Sequence, residues 1–177
     1  MKTLGREQAA EWACGVGFRV TEVKKSIHFP NEDPALCLML PLPQKPYQAA
    51  YLANDLLPYS ESQELSPCLL WMTDFGFWSE VSERVAHSLV GCFRSSRGET
   101  APLIETPAHL FGSSKACDAQ ALLTIAIVFG WDCYVIPENA SYYAFTSNDG
   151  YLEVVSDSAE THASFKTRLD GWDARER

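Results

Sequence analysis

Asp74, Glu80, His109 and Asp132 are the side chains whose types and settings point towards acid–base chemistry. Asp74 and Glu80 flank Phe75-Gly76-Phe77-Trp78, His109 precedes Leu110-Phe111, and Asp132 follows Trp131. Each falls near the end of a predicted element, beside an aromatic residue. If the four converged, they would form an aromatic-walled pocket holding carboxylates and an imidazole, the groups that move protons on a small substrate. More simply, carboxylates cap turns and helices, and aromatics at element ends close the rim of the core. The spacing favours this simpler outcome.

Aromatic residues form a second constellation. Phe75, Phe77 and Trp78 surround Gly76 in a connecting stretch, and one buried face cannot accommodate all three. Tyr142, Tyr143, Phe145 and Tyr151 place rings on both faces of a predicted hairpin. Tyrosine and tryptophan are enriched at protein interfaces because they bury area while keeping a polar handle. Phe75, Phe77, Trp78, Tyr142, Tyr143 and Tyr151 are therefore the expected binding residues.

Other chemistries find little support. His28, His87, His109 and His162 are far apart in the chain, and none pairs with a histidine or cysteine at zinc-ligand spacing. Gly15-Val16-Gly17 lacks a third glycine and lies between a predicted helix and a strand, the reverse of a dinucleotide fingerprint. Gly112-Ser113-Ser114 lacks the second glycine of a nucleophile elbow, and its serines suit a helix cap. Cys92 lies near Arg94 and Arg97 but also completes an apolar helical stripe, which favours packing over reactivity. No metal or cofactor is expected.

The chain of 177 residues carries a formal charge of −9. Residues 1–97 hold 9 basic and 11 acidic groups (−2), and residues 98–177 hold 5 and 12 (−7). Such a field repels phosphate backbones and disfavours nucleic acid as a partner. It steers a basic partner towards the C-terminal half, although acidity also serves solubility. The six cysteines sit thinly spread in mostly apolar surroundings, and the first residues carry no leader pattern. Together these predict free thiols and a cytoplasmic location. The apolar run Ala121 to Trp131 is shorter than the ~20 residues of a membrane span, so no membrane association is expected.

Positioning these residues falls to a predicted order α-β-β-α-β-α-α-β-β-β-α. Ala9, Trp12, Ala13 and Val16 recur at helical spacing over residues 5–16. Residues 18–29 alternate as one strand with a wet face, and 35–40 read as a short buried strand. Pro46 opens a helix with Tyr47, Ala50, Tyr51 and Asn54 on one face. Cys68 to Met72 is the best buried strand, and 94–107 form the longest loop. After Ser79, Val81, Val85, Leu89 and Cys92 trace the stripe of a further helix. Residues from about Ser114 to Phe129 form an apolar helix, and 133–136 a strand. Asn148-Asp149-Gly150 joins the strands 142–147 and 151–156 as a hairpin. Asp157 and Glu160 open the last helix. Consecutive strands and a hairpin predict an α+β fold, with a mixed or antiparallel sheet packed against several helices. No linker divides the chain, so one domain over 1–177 is expected, with 173–177 a frayed tail.

Leu69-Leu70-Trp71 with Trp78, His109-Leu110-Phe111, Gly130-Trp131-Asp132 and Phe145-Thr146-Ser147-Asn148-Asp149-Gly150 together resemble a pattern in uncharacterised bacterial proteins of unknown function. The resemblance runs over residues 69–155. It implies a bacterial protein and carries over no catalytic residue. Two functional expectations follow from the residues themselves. One is an immunity- or antitoxin-like inhibitor that neutralises a basic protein through an acidic, aromatic surface. The other is a small-molecule enzyme or sensor built on Asp74, Glu80, His109 and Asp132. Homo-oligomerisation is compatible with both.

Overall fold

Leu69, Leu70, Trp71 and Met72, a run without alternation, must find apolar cover on both sides of whatever sheet they join. In the computed structural model, which describes residues 1–21, 26–75, 80–170 and 172, they do. The elements are β1 (Lys2–Leu4), α1 (Arg6–Gly15), β2 (Arg19–Val20), β3 (Ile27–His28), β4 (Cys37–Pro41) and α2 (Pro46–Leu56). Then come β5 (Cys68–Asp74), α3 (Glu80–Ser95), β6 (Ala108–Phe111), α4 (Ala116–Val128), β7 (Asp132–Pro137), β8 (Tyr142–Thr146), β9 (Tyr151–Ser156) and α5 (Ala159–Leu169). Seven strands form one sheet in the order β1-β6-β5-β7-β8-β9-β4, and each neighbouring pair is antiparallel. The fold is α+β, with the β8–β9 hairpin in the C-terminal half as expected.

Each face of the sheet carries its own core. Leu70, Met72, Cys133, Val135, Ala144 and Val154 face a helical layer that contributes Leu52 and Leu56 from α2, Ala86 and Val90 from α3, Leu122 and Leu123 from α4, and Phe165 from α5. Leu69, Trp71, Tyr134, Ile136 and Tyr143 face the opposite way, towards Ala9 and Ala13 of α1 and Ile27 of the β2–β3 pair. Each fully buried large side chain contributes roughly 1.5–3 kcal/mol, and two cores on one sheet explain the unbroken apolar run of β5.

Several local expectations change. Residues 18–29 do not make one strand; β2 and β3 pair antiparallel as a separate two-stranded ribbon, and residues 22–25 lie outside those described. Residues 37–41 form an edge strand rather than a buried one, with Met39 60% exposed. β1 and β6 were not expected. Both are short, and β6 follows Pro107, which reads as loop.

Two helices also turn the other way. On α2, Tyr47 and Tyr51 are exposed while Ala49, Leu52, Ala53 and Leu56 are buried. On α3, Val85, Leu89 and Cys92 of the expected core stripe are exposed, and Ala86, Val90 and Arg94 face inward. Side-chain oxygen of Ser158, not of Asp157, accepts from the Thr161 amide and starts α5.

Candidate functional site

Asp74 ends β5 and Asp132 starts β7, and a bulge after Met72 sets the two in register. Asp132 is partly buried, and its Oδ1 accepts from the Asn148 amide at 2.7 Å. Burial raises its pKa, the Asn148 amide opposes the rise, and the carboxylates of Asp74 and Asp149 add to it. Phe75 follows, partly buried, with its ring 5.7 Å from that of His87 and 5.9 Å from Trp131. His87 in turn lies 5.6 Å from Trp131. Sequence reasoning passed over His87. It borders the inward face of α3 once Ala86, Val90 and Arg94 define that face, but the outward apolar stripe concealed it.

His109 does not join this group. It pairs with Leu70 across β6–β5, while Asp74 stands four residues further along, roughly 13 Å at a strand rise of ~3.3 Å per residue. His109 is 0% exposed and faces the helical layer, its ring stacked 6.5 Å from Phe111. Burial drives its pKa down to about 3, and the nearby Arg94 guanidinium adds to the effect. The side chain of Glu80 lies outside the described residues. The expected quartet is therefore split, with Asp74 and Asp132 together and His109 in the core.

The aromatic set divides as well. Tyr142 is 4% exposed on the helical side; its hydroxyl donates to the Leu56 carbonyl at 2.6 Å and its ring packs on Phe165 at 4.6 Å. Tyr143 is 2% exposed on the other side, donating to Glu32 Oε1 at 2.7 Å. Both were expected as binding residues, and both are buried because the two faces of β8 are covered. Phe77 and Trp78 lie outside the described residues.

Tyr151 is partly exposed and lines a cleft of about 310 Å³ on the α1 side of the sheet. Register builds this cleft: Tyr134 pairs with Phe145, and Phe145 with Glu153, so one row crosses β7, β8 and β9. The Phe145 ring lies 4.5 Å from Tyr134 and 6.2 Å from Tyr151. Three carboxylates, Asp132, Asp149 and Glu153, line the same space, and Tyr143 forms part of its floor. Glu153 accepts from the Cys37 thiol at 3.5 Å; burial and the charges of Glu153 and Glu32 push that thiol up to about 11. Among the described residues, no lysine or arginine lines this cleft. The arrangement can hold a cation, with carboxylates to accept its hydrogen bonds and ring faces to attract its charge.

A second cleft, of about 470 Å³, opens where β5 ends, between the start of α1 and the loop after α3. Asp74, Phe75 and His87 line it together with Arg6, Leu103 and Ile104, and Thr73 borders both clefts. Arg94 holds that loop from beneath: its guanidinium donates to the carbonyls of Ala101 (2.9 Å) and Thr106 (3.2 Å).

Among the described residues no three or more His, Cys, Asp or Glu side chains stand together as a metal site. None of their helices is long and apolar enough to cross a membrane. All six cysteines are free thiols. No family model matches the chain, and comparison with curated proteins and with solved structures yields no significant match.

Proposed function

We propose that this is a binding protein whose acidic, aromatic cleft receives a cationic side chain of a basic partner protein. Its most concrete form is a cytoplasmic immunity- or antitoxin-like inhibitor from a bacterium. The observation that carries the reading is the row Tyr134–Phe145–Glu153, which sets two rings and a carboxylate beside Asp132, Asp149 and Tyr151 in one cleft. A lysine or arginine entering it gains charge-assisted hydrogen bonds and a ring face at once. Residues 98–177, which carry the −7 share of the charge, supply all three carboxylates, so long-range steering and the local site act on the same partner.

The test is affinity capture from lysate of the source organism with mass spectrometry, followed by binding measurements on the purified pair. One stoichiometric basic protein is expected, held more weakly as salt rises. Glu153→Gln and Tyr151→Ala should each weaken it by about tenfold or more, the scale of an interface hot spot. Recovery of the protein alone, or parental affinity in both variants, would sink the reading. The alternative of an enzyme or sensor using Asp74, Glu80, His109 and Asp132 is weakened by the burial of His109 away from Asp74 and Asp132.

A further inference from the structure

The cleft at the end of β5 is the larger of the two and shares only Thr73 with the partner surface proposed above. Its volume of about 470 Å³ falls within the roughly 300–1,000 Å³ of small-molecule sites. Phe75, Leu103 and Ile104 give it apolar walls, and Ile104 is 63% exposed. Arg6 lines the same space. It is partly buried, and among the described residues its guanidinium makes no ion pair or hydrogen bond. A guanidinium beside apolar walls is matched by a planar carboxylate, which takes two parallel hydrogen bonds from it.

Two further features define the ligand. Arg6 is the first residue of α1, where the positive end of the helix favours an anion while Glu7 in the same turn opposes one; Gln8 Oε1 already accepts from the Gly5 amide. Asp74 lines the cleft too, and its carboxylate penalises a second negative charge. One guanidinium, one opposing carboxylate and mostly apolar walls favour a monoanion with an apolar body over a dianion.

We propose that this cleft binds a small amphipathic monocarboxylate, its carboxylate on Arg6 and its apolar or aromatic body against Phe75, Leu103 and Ile104. The site is independent of the cationic partner surface, and either can fail without the other.

The test titrates the full chain with phenylpropionate, with phenylpropanamide as a neutral probe of the same shape, and with phenylphosphonate as a dianion. Heat of binding and amide chemical shifts are read together. Phenylpropionate should bind saturably and about tenfold or more tighter than the amide, the scale of a charge-assisted pair. Arg6→Gln should abolish that difference while leaving amide binding in place, and Arg6→Lys should restore part of it. Ile104→Ser should weaken both probes, and Asp74→Asn should admit the phosphonate. Circular dichroism confirms that each variant is folded. Equal binding of carboxylate and amide, an unchanged preference in folded Arg6→Gln, or no saturable binding of either probe to the parent chain would overturn the proposal.

Discussion

Burial favours the neutral form of both His109 and Asp132, and so lowers the pKa of the first and raises that of the second. Among the described residues neither ring nitrogen of His109 has a hydrogen-bond partner; the Arg94 guanidinium opposes a ring proton, whereas the Glu99 carboxylate and the Pro107 carbonyl favour one. The folded pKa of about 3 lies below the unfolded value near 6.5. As pH falls below ~6.5 the unfolded chain takes up a proton that the folded chain refuses until far lower pH. Stability is thus full above that point and declines by up to about 1.4 kcal/mol per pH unit beneath it. Urea unfolding at about pH 7.5 and about pH 5 should show this loss, and His109→Phe should both flatten it and raise stability at neutral pH, since an apolar ring leaves no buried donor unsatisfied. A variant as acid-sensitive as the parent would place the effect elsewhere. Asp132 has the reverse sign. Its raised pKa means that the ionised form opposes folding, so its stabilising contribution is present in acid and lost as pH rises through that pKa. Asp132→Asn keeps an acceptor for the Asn148 amide and should raise the thermal midpoint near neutral pH. The same change should weaken a basic partner, and in the parent protein affinity should fade as pH drops through the carboxyl's raised pKa.

At the scale of elements, α3 makes the sharpest statement. Its outward residues Val85 and Leu89 are 48% and 47% exposed, whereas Ala86 and Val90 meet the core. Val90→Ala should therefore cost about 2 kcal/mol through lost burial and a cavity, and Leu89→Ala should stay within about 0.5 kcal/mol. Chemical denaturation of the two variants decides it; a larger loss at Leu89 would mean that the helix is rotated. The β8–β9 hairpin sits at the other extreme of legibility. Gly150, at φ +84, takes the one positive-φ place in its turn, and the Gly150 amide closes onto the Ser147 carbonyl at 3.0 Å. That turn sets the register which lines up Phe145 with Glu153 and so builds the cation cleft.

Across the whole molecule the charge is uneven, and the acidic cleft draws its carboxylates from the strongly negative C-terminal part of the chain. Encounter with a basic partner should then be steered. Its association rate should fall by about tenfold or more between low and physiological salt, while dissociation changes far less. Stopped-flow mixing of the purified pair measures both, and a salt-independent association rate would remove the whole-molecule field from the account. The sheet joins the two clefts physically: β5 contributes Thr73 to both and Asp74 to the larger one, and Asp132 of β7 lies in register with Asp74.

By itself, the sequence determined those features whose signals are local. The unbroken run Leu69–Met72, the Asn148-Asp149-Gly150 turn, the apolar helix before Gly130 and the excess of acid after residue 98 each need no distant partner to be read. Alternation also told that adjacent Tyr142 and Tyr143 point to opposite faces. It could not tell that both faces would be covered, because α5 and α2 close one side and the β2–β3 pair the other, from segments far away in the chain. For the same reason the apolar stripe of α3 pointed to the wrong face, and His109 looked available when its strand was already enclosed. The grouping of Asp132, Asp149 and Glu153 around Tyr134, Phe145 and Tyr151, and of Arg6 with Phe75 and Ile104, was decided only by tertiary structure. Strand register and the layers that cover a sheet depend on contacts between distant segments, and no local window of residues contains them.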